Sequence, residues 1–296
     1  YVGVVANGGN DFSKGDLIMR KVLLATTALV AMSVTAAQAD ISISGSASFE
    51  INDSSSNQAY STDGSIVFKS TSTTDNGLTV TAAHDMKFEG GVNDSYIDIA
   101  GSFGSLRLGN TDDALDRMDG ALPHNWDMEG NLALQANVGG DQTDENISFI
   151  SPNLGGVTVY GSTTANGTTN GMGVTYANGP INVVYQAGRV EGGDSDDADE
   201  TMVGASFTMG ALKVGAGHNT AETVNSVKTK TNEIGATYTM GDITLVAVQG
   251  KTSASKSNSI GVSYAIAPGL SFSAESAEKT GSGANTETYM GLHVSF

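Results

Sequence analysis

The chain has 296 residues, 14 Lys and Arg against 32 Asp and Glu, a formal net charge of −18 and no cysteine. That balance excludes nucleic acid as an expected partner, because binding it needs a cationic footprint, and the missing thiols exclude a disulfide scaffold. With 38 Gly, 4 Pro and only 6% aromatic residues, the composition suits a turn-rich all-β chain. It is lean for a soluble sandwich, which must fill a two-layer core. Strands with one face toward water and the other toward something apolar fit better.

The first element in chain order is a leader. Met19-Arg20-Lys21 is followed by an apolar run from Val22 to about Val34 and then Ala37-Gln38-Ala39. A charged n-region, an apolar h-region and an A-x-A site make a secretory signal peptide, expected over residues 19–39. The run is too short for a membrane span of ~20 residues. Residues 1–18 read as an upstream extension outside the mature protein. The expected mature chain, 40–296, has 257 residues and a net charge of −19.

From Asp40 the chain alternates in segments of roughly ten residues between turns, the pattern of a transmembrane barrel. The first strand is expected at 40–51, with Ile41, Ile43, Phe49 and Ile51, and a polar loop at 52–63. A second follows at 64–74, then the hairpin signal Asp75-Asn76-Gly77. The third, 78–88, sets Leu78, Val80 and Ala82 against Thr79, Thr81, Asp85 and Lys87. The fourth, 93–101, sets Ile97 and Ile99 against Tyr96 and Asp98. The fifth, 104–110, has Leu106 and Leu108 opposite Arg107.

The alternation then stops for a long stretch, 111–142, that holds the only Trp (Trp126) and a run of acids: Asp112, Asp113, Asp116, Asp119, Asp127 and Glu129, with Arg117 as its base. A loop this long inside a strand array is expected to be functional. Folded into the barrel mouth, these acids would line a constriction and favour cations. As a charge run they also read as a solvated face. After the loop, strands are expected at 146–151, 156–164, 170–177, 181–190, 200–209, 211–219, 231–240, 243–250, 257–266, 270–277 and 285–296.

The count is sixteen. Connections after even-numbered strands are short, and those after odd-numbered strands are mostly longer and polar. An up-and-down barrel segregates its connections in this way, with tight turns at one end and loops at the other. No segment after the leader approaches the length of an apolar helical span. The fold expected is therefore an all-β, sixteen-stranded antiparallel transmembrane barrel with an inward third loop.

The last strand carries a resemblance. Thr288, Met290, Leu292, Val294 and Phe296 share one face and end on a C-terminal Phe, as in the terminal strand of outer-membrane barrels. The block 101–110, GSFGSLRLGN, followed by a long acidic loop, resembles the segment before the constriction loop of Gram-negative general porins of the alphaproteobacterial type. The resemblance covers 40–296. It implies a homotrimer in the bacterial outer membrane, in contact with lipid and lipopolysaccharide, through which small hydrophilic solutes and ions diffuse passively. It also implies bases on the wall facing the loop. That family often has a dense arginine cluster there, whereas inward positions here hold Lys69, Lys87 and Arg107, which implies a weaker transverse field.

Other motifs point nowhere specific. Residues 194–200, DSDDADE, lack the glycine and spacing of an EF-hand and read as a solvated external loop, with divalent-ion or lipopolysaccharide bridging as the sharper reading. His84, His124, His218 and His293 have no paired metal spacing, and neither a metal nor a cofactor is implied. No nucleophile elbow or phosphate loop supports catalysis. Three further readings stay open: a non-conducting surface barrel serving adhesion or structure, a substrate-specific porin, and a secreted soluble β-protein.

Overall fold

The structure, a computed structural model, describes residues 39–54, 58–118, 145–164, 167, 169–190, 198–223 and 228–296. The leader expected at 19–39 lies, but for its last residue, outside them. The strands are β1 (Asp40–Ser54), β2 (Gln58–Thr73), β3 (Thr79–Lys87), β4 (Val92–Gly101), β5 (Gly104–Asn110), β6 (Glu145–Ile150), β7 (Val157–Thr164) and β8 (Thr169–Asn178). They continue as β9 (Ile181–Val190), β10 (Ala198–Met209), β11 (Leu212–Thr223), β12 (Lys228–Met240), β13 (Ile243–Lys251), β14 (Ser255–Ala267), β15 (Leu270–Gly281) and β16 (Asn285–Ser295). Each pairs antiparallel with its neighbours in sequence, and β1 pairs with β16 to close the barrel.

The side-chain pattern is inside-out for a water-soluble protein. Ser148, Gln186, Ser206, Ser257 and Ser273 are buried, whereas Ile97, Leu108, Phe149, Phe207, Tyr238, Ile260 and Leu292 are exposed. Register explains the division. Partners across the ladder share a face, so Phe49, Leu292 and Phe272 stand together outside, while Ser48, His293 and Ser271 stand together inside. A closed sheet leaves no unpaired backbone edge, as hydrocarbon demands, and the apolar outer face is the one such a sheet turns to lipid.

Tight turns gather at one end: Ser102-Phe103, Gly179-Pro180, Gly210-Ala211, Gly241-Asp242 and Pro268-Gly269 each complete a connection. At the other end the strands reach further than alternation predicts. The loop expected at 52–63 is strand on both sides of residues 55–57, and β11, β12 and β15 likewise extend beyond their apolar parts. Backbone pairing needs no apolar side chain, so the ladder continues above the apolar band into polar sequence.

Closure is tightest at the C-terminus. The Gly45 amide donates to the Phe296 carbonyl at 2.9 Å, and the Phe296 amide donates back at 3.0 Å. A Cβ at Gly45 would stand 2.7 Å from the Phe296 ring and 2.7 Å from the Ser65 carbonyl oxygen. Glycine is what lets the terminal ring lie this close to the seam.

Candidate pore and its inward loop

The turn into the barrel starts at the end of β5. Gly109 adopts φ +143°, and a Cβ there would meet the Ser95 carbonyl oxygen at 2.2 Å. Only glycine allows this backbone so close to β4. Thr111, next but one, is buried, and its carbonyl accepts a hydrogen bond from the Asn146 amide on β6. Asp113 is buried too, and its Oδ1 accepts from the Leu115 amide. These contacts turn the chain through Ala114 and Leu115 into one 3₁₀ turn, Asp116–Met118.

Leu115 and Met118 then pack with Val184 of β9 and Met202 of β10, with Tyr160 of β7 against them. The Gln186 side-chain amide donates to the Leu115 carbonyl at 3.1 Å. The wall has been cut away to receive them. A Cβ at Gly173 would stand 2.2 Å from the Met118 sulfur, and one at Gly171 would stand 2.9 Å from Leu115 Cδ1. All of these wall residues share the inner face by register, so the loop enters the lumen and docks on β7–β10.

From the same turn Arg117 reaches back toward β4. Asp98 on β4 lies 4.0 Å from the Arg117 guanidinium and 3.1 Å from that of Arg107 on β5. Ser105 donates to the other Asp98 oxygen at 3.0 Å, and the Arg107 guanidinium lies 3.9 Å from the centre of the Tyr96 ring. Burial, and then the neighbouring Arg107, lower the Arg117 pKa from its ordinary value, against the pull of Asp98. Arginine nevertheless stays protonated, so one carboxylate sits between two cations.

Register places Lys69, Lys87 and Arg107 on the inner face, on β2, β3 and β5. Of the loop acids, Asp113 is engaged in the turn, Asp112 is exposed, and Asp116 belongs to the 3₁₀ turn with its side chain outside the description. Asp119, Asp127 and Glu129 lie outside the described residues, as do His124 and Trp126. Among the described residues no group of three His, Asp or Glu is placed to hold a metal.

The sequence reading missed the opposite wall. Glu50, Glu200, Glu233, Glu275 and Glu287 all fall on the inner face of β1, β10, β12, β15 and β16. Their signal was available: each sits in step with small or polar residues and out of step with the apolar ones, as Glu233 does beside Ile234. A cavity of about 890 Å³ runs along β14–β16 and β1–β3, lined among others by Ser48, Asp63, Lys87, Ser271 and His293. It lies on the side that the docked turn leaves open.

Comparison with known proteins agrees with this geometry. Comparison with curated protein sequences returns no match. Among solved structures, the anion-selective porin from Comamonas acidovorans superposes with a TM-score of 0.69 at 15% identity, over 87% of this chain and 100% of that one. A mutant form of the Rh. blastica porin gives 0.69 at 20% identity, over the same shares of the two chains. The in-vitro folded OmpT of Vibrio cholerae, described in its trimer form, gives 0.73 at 13%, over 87% and 99%. A family model described as Gram-negative porin matches residues 25–286. With a closed sixteen-stranded barrel, a polar inner face and a third connection turned inward, the chain belongs to the Gram-negative porin family, a family of outer-membrane channels.

Proposed function

We propose that the barrel is a water-filled channel for passive diffusion of small hydrophilic solutes and ions, that it prefers cations, and that it works as a homotrimer in contact with lipid and lipopolysaccharide. The observation that carries the channel reading is the cavity, lined in part by Ser48, Asp63, Lys87 and His293, left open along β14–β16 and β1–β3 while the loop turn docks on β7–β10. A substrate-specific slide would call for aromatic ladders, and this inner face is mostly Ser, Thr, Gly and acids. Trimerisation is carried over from the OmpT form described as a trimer.

The cation preference rests on the wall as much as on the loop. Among the described strands, the inner register holds Asp40, Glu50, Asp63, Asp85, Asp94, Asp98, Glu200, Glu233, Glu275 and Glu287, against Lys69, Lys87, Arg107, Lys213 and Lys279. An acid excess lining a narrow aqueous path concentrates cations and repels anions. On this reading Asp112, Asp116, Asp119, Asp127 and Glu129 add to that field, Asp113 shapes the turn at the start of the loop, and Lys69, Lys87 and Arg107 form the opposing basic wall. The anion selectivity of the Comamonas porin does not transfer, since at 15% identity the likeness is of fold.

The test is single-channel recording of the purified protein in a planar bilayer, with reversal potential across a salt gradient. Openings in groups of three with a cation-selective reversal are the expected result. Anion selectivity would overturn the charge reading and leave the channel standing. Silence from protein that shows heat-modifiable migration would replace the channel with a plugged surface barrel.

A further inference from the structure

The outer face carries a cationic patch that the channel does not use. On β12, β13 and β14 the outward positions run upward from Tyr238, Leu245 and Tyr264 through Ile234, Ala247 and Ile260 to Asn232, Gln249 and Asn258. They end on Lys230, Lys251 and Lys256. Lys251 and Lys256 are directly opposite each other, and Lys251 also faces Asn232, next but one to Lys230. All three lysines are exposed, and none forms an ion pair with a described residue. Nearby Lys228, by contrast, is held by Glu222 at 3.0 Å.

Two physical points make this arrangement informative. Like charges directly across a ladder destabilise it, and a chain of net charge −18 has acids enough to separate them. The cross-strand lysine pair and the third lysine set three positive charges against one outward carboxylate, Glu278 opposite Asn258, an excess that an external anion would offset. The second point is height. Tyr264 and Lys256 are eight residues apart, about 27 Å along the strand at ~3.4 Å per residue, or about 20 Å of height at a strand tilt of about 40°. That approaches the ~25 Å apolar band of such barrels, so with Tyr264 at one membrane interface the ammonium groups stand at the other.

We propose that the outward loop end of β12–β14 is a docking site for the phosphate headgroups of outer-leaflet lipids, bound by Lys230, Lys251 and Lys256. The inference rests on the outer-membrane reading and supplies the lipid contact with residues. Lysine stems lie along apolar surface while the ammonium reaches the polar layer, where it serves as a point charge for phosphate. The outward surface beside the lysines is amide and hydroxyl with one carboxylate: Gln249 donates to Asn258 at 2.8 Å, Thr280 faces Lys256, and the exposed Glu278 faces Asn258. It lacks the aromatic anchors that a contact between protein copies concentrates, which favours lipid over a second copy.

The experiment is native mass spectrometry of folded protein in detergent, titrated with phosphatidylglycerol or with diacylglycerol of the same chains. The wild type should retain phosphatidylglycerol over diacylglycerol. K230Q/K251Q/K256Q should lose that retention at least tenfold while keeping heat-modifiable migration, and K230R/K251R/K256R should restore it. Retention unchanged in the glutamine variant would overturn the proposal. So would displacement of the lipid by an equal concentration of inorganic phosphate, which would identify a simple anion site. Loss of oligomer in the glutamine variant with lipid retention intact would assign the patch to a second copy instead. Lipid retention is read without current, so a silent wild-type protein would sink the channel reading and leave this one to its own result.

Discussion

Asp98 stands between Arg107 of the wall and Arg117 of the loop, and its two oxygens meet the Arg107 guanidinium and the Ser105 hydroxyl. Replacing it with asparagine keeps the shape and removes the charge that both cations share. Charged hydrogen bonds of this kind are worth about 1.5–3 kcal/mol each. Asp98→Asn is therefore expected to loosen the Arg117 end of the turn and to add positive charge to the lumen. The reversal potential should move toward anions, and an unchanged reversal potential would remove Asp98 from the field. Alternation was enough to place Arg107 and Asp98 on one face from sequence. Their pairing with Arg117 was not legible, because it depends on the turn after β5 folding onto the inner wall, and no periodicity encodes that.

As an element, the docked turn at 111–118 is held by shape complementarity. Gly171 and Gly173 remove two side chains from the inner face of β8, and Leu115 and Met118 fill the space. Both glycines sit on a regular ladder, so a larger residue there burdens the contact with the loop and leaves the strand's backbone relaxed. Gly173→Val is expected to overpack this contact by about 1–3 kcal/mol, which multiplies the undocked fraction by about one to two powers of ten. Single-channel conductance should rise while the temperature of heat-modifiable unfolding stays that of the wild type. A barrel that instead unfolds earlier would show that the glycines serve the wall. The long acidic stretch was visible in sequence as an interruption, and its inward course was expected from that interruption and from the resemblance. The docking glycines read as ordinary strand glycines until the loop is seen against them. The strand ends were misplaced for a related reason: apolar alternation reports where lipid begins and stops, whereas hydrogen bonding carries the ladder beyond it.

For the whole molecule, a barrel of consecutive hairpins has one pairing between distant parts of the chain, β1 with β16. Every other pairing joins neighbours in sequence and can form locally, so closure is the step that makes the sheet edgeless and fit for lipid. The Gly45–Phe296 contact lies on that seam. Gly45→Ala places a methyl group against both the Phe296 ring and the Ser65 carbonyl, and overpacking of this order costs about 1–3 kcal/mol. A double-mutant cycle with Phe296→Ala separates the two contacts. Gly45→Ala should lower the midpoint temperature of heat-modifiable migration more in the wild-type background than beside Phe296→Ala, the difference being the share due to the ring. Equal shifts in both backgrounds would mean that the backbone of β2 alone requires glycine, and that the terminal ring serves only the apolar surface. A coupled result would make the C-terminal Phe part of the closed barrel's stability, in addition to any role it has in delivering the chain to the membrane.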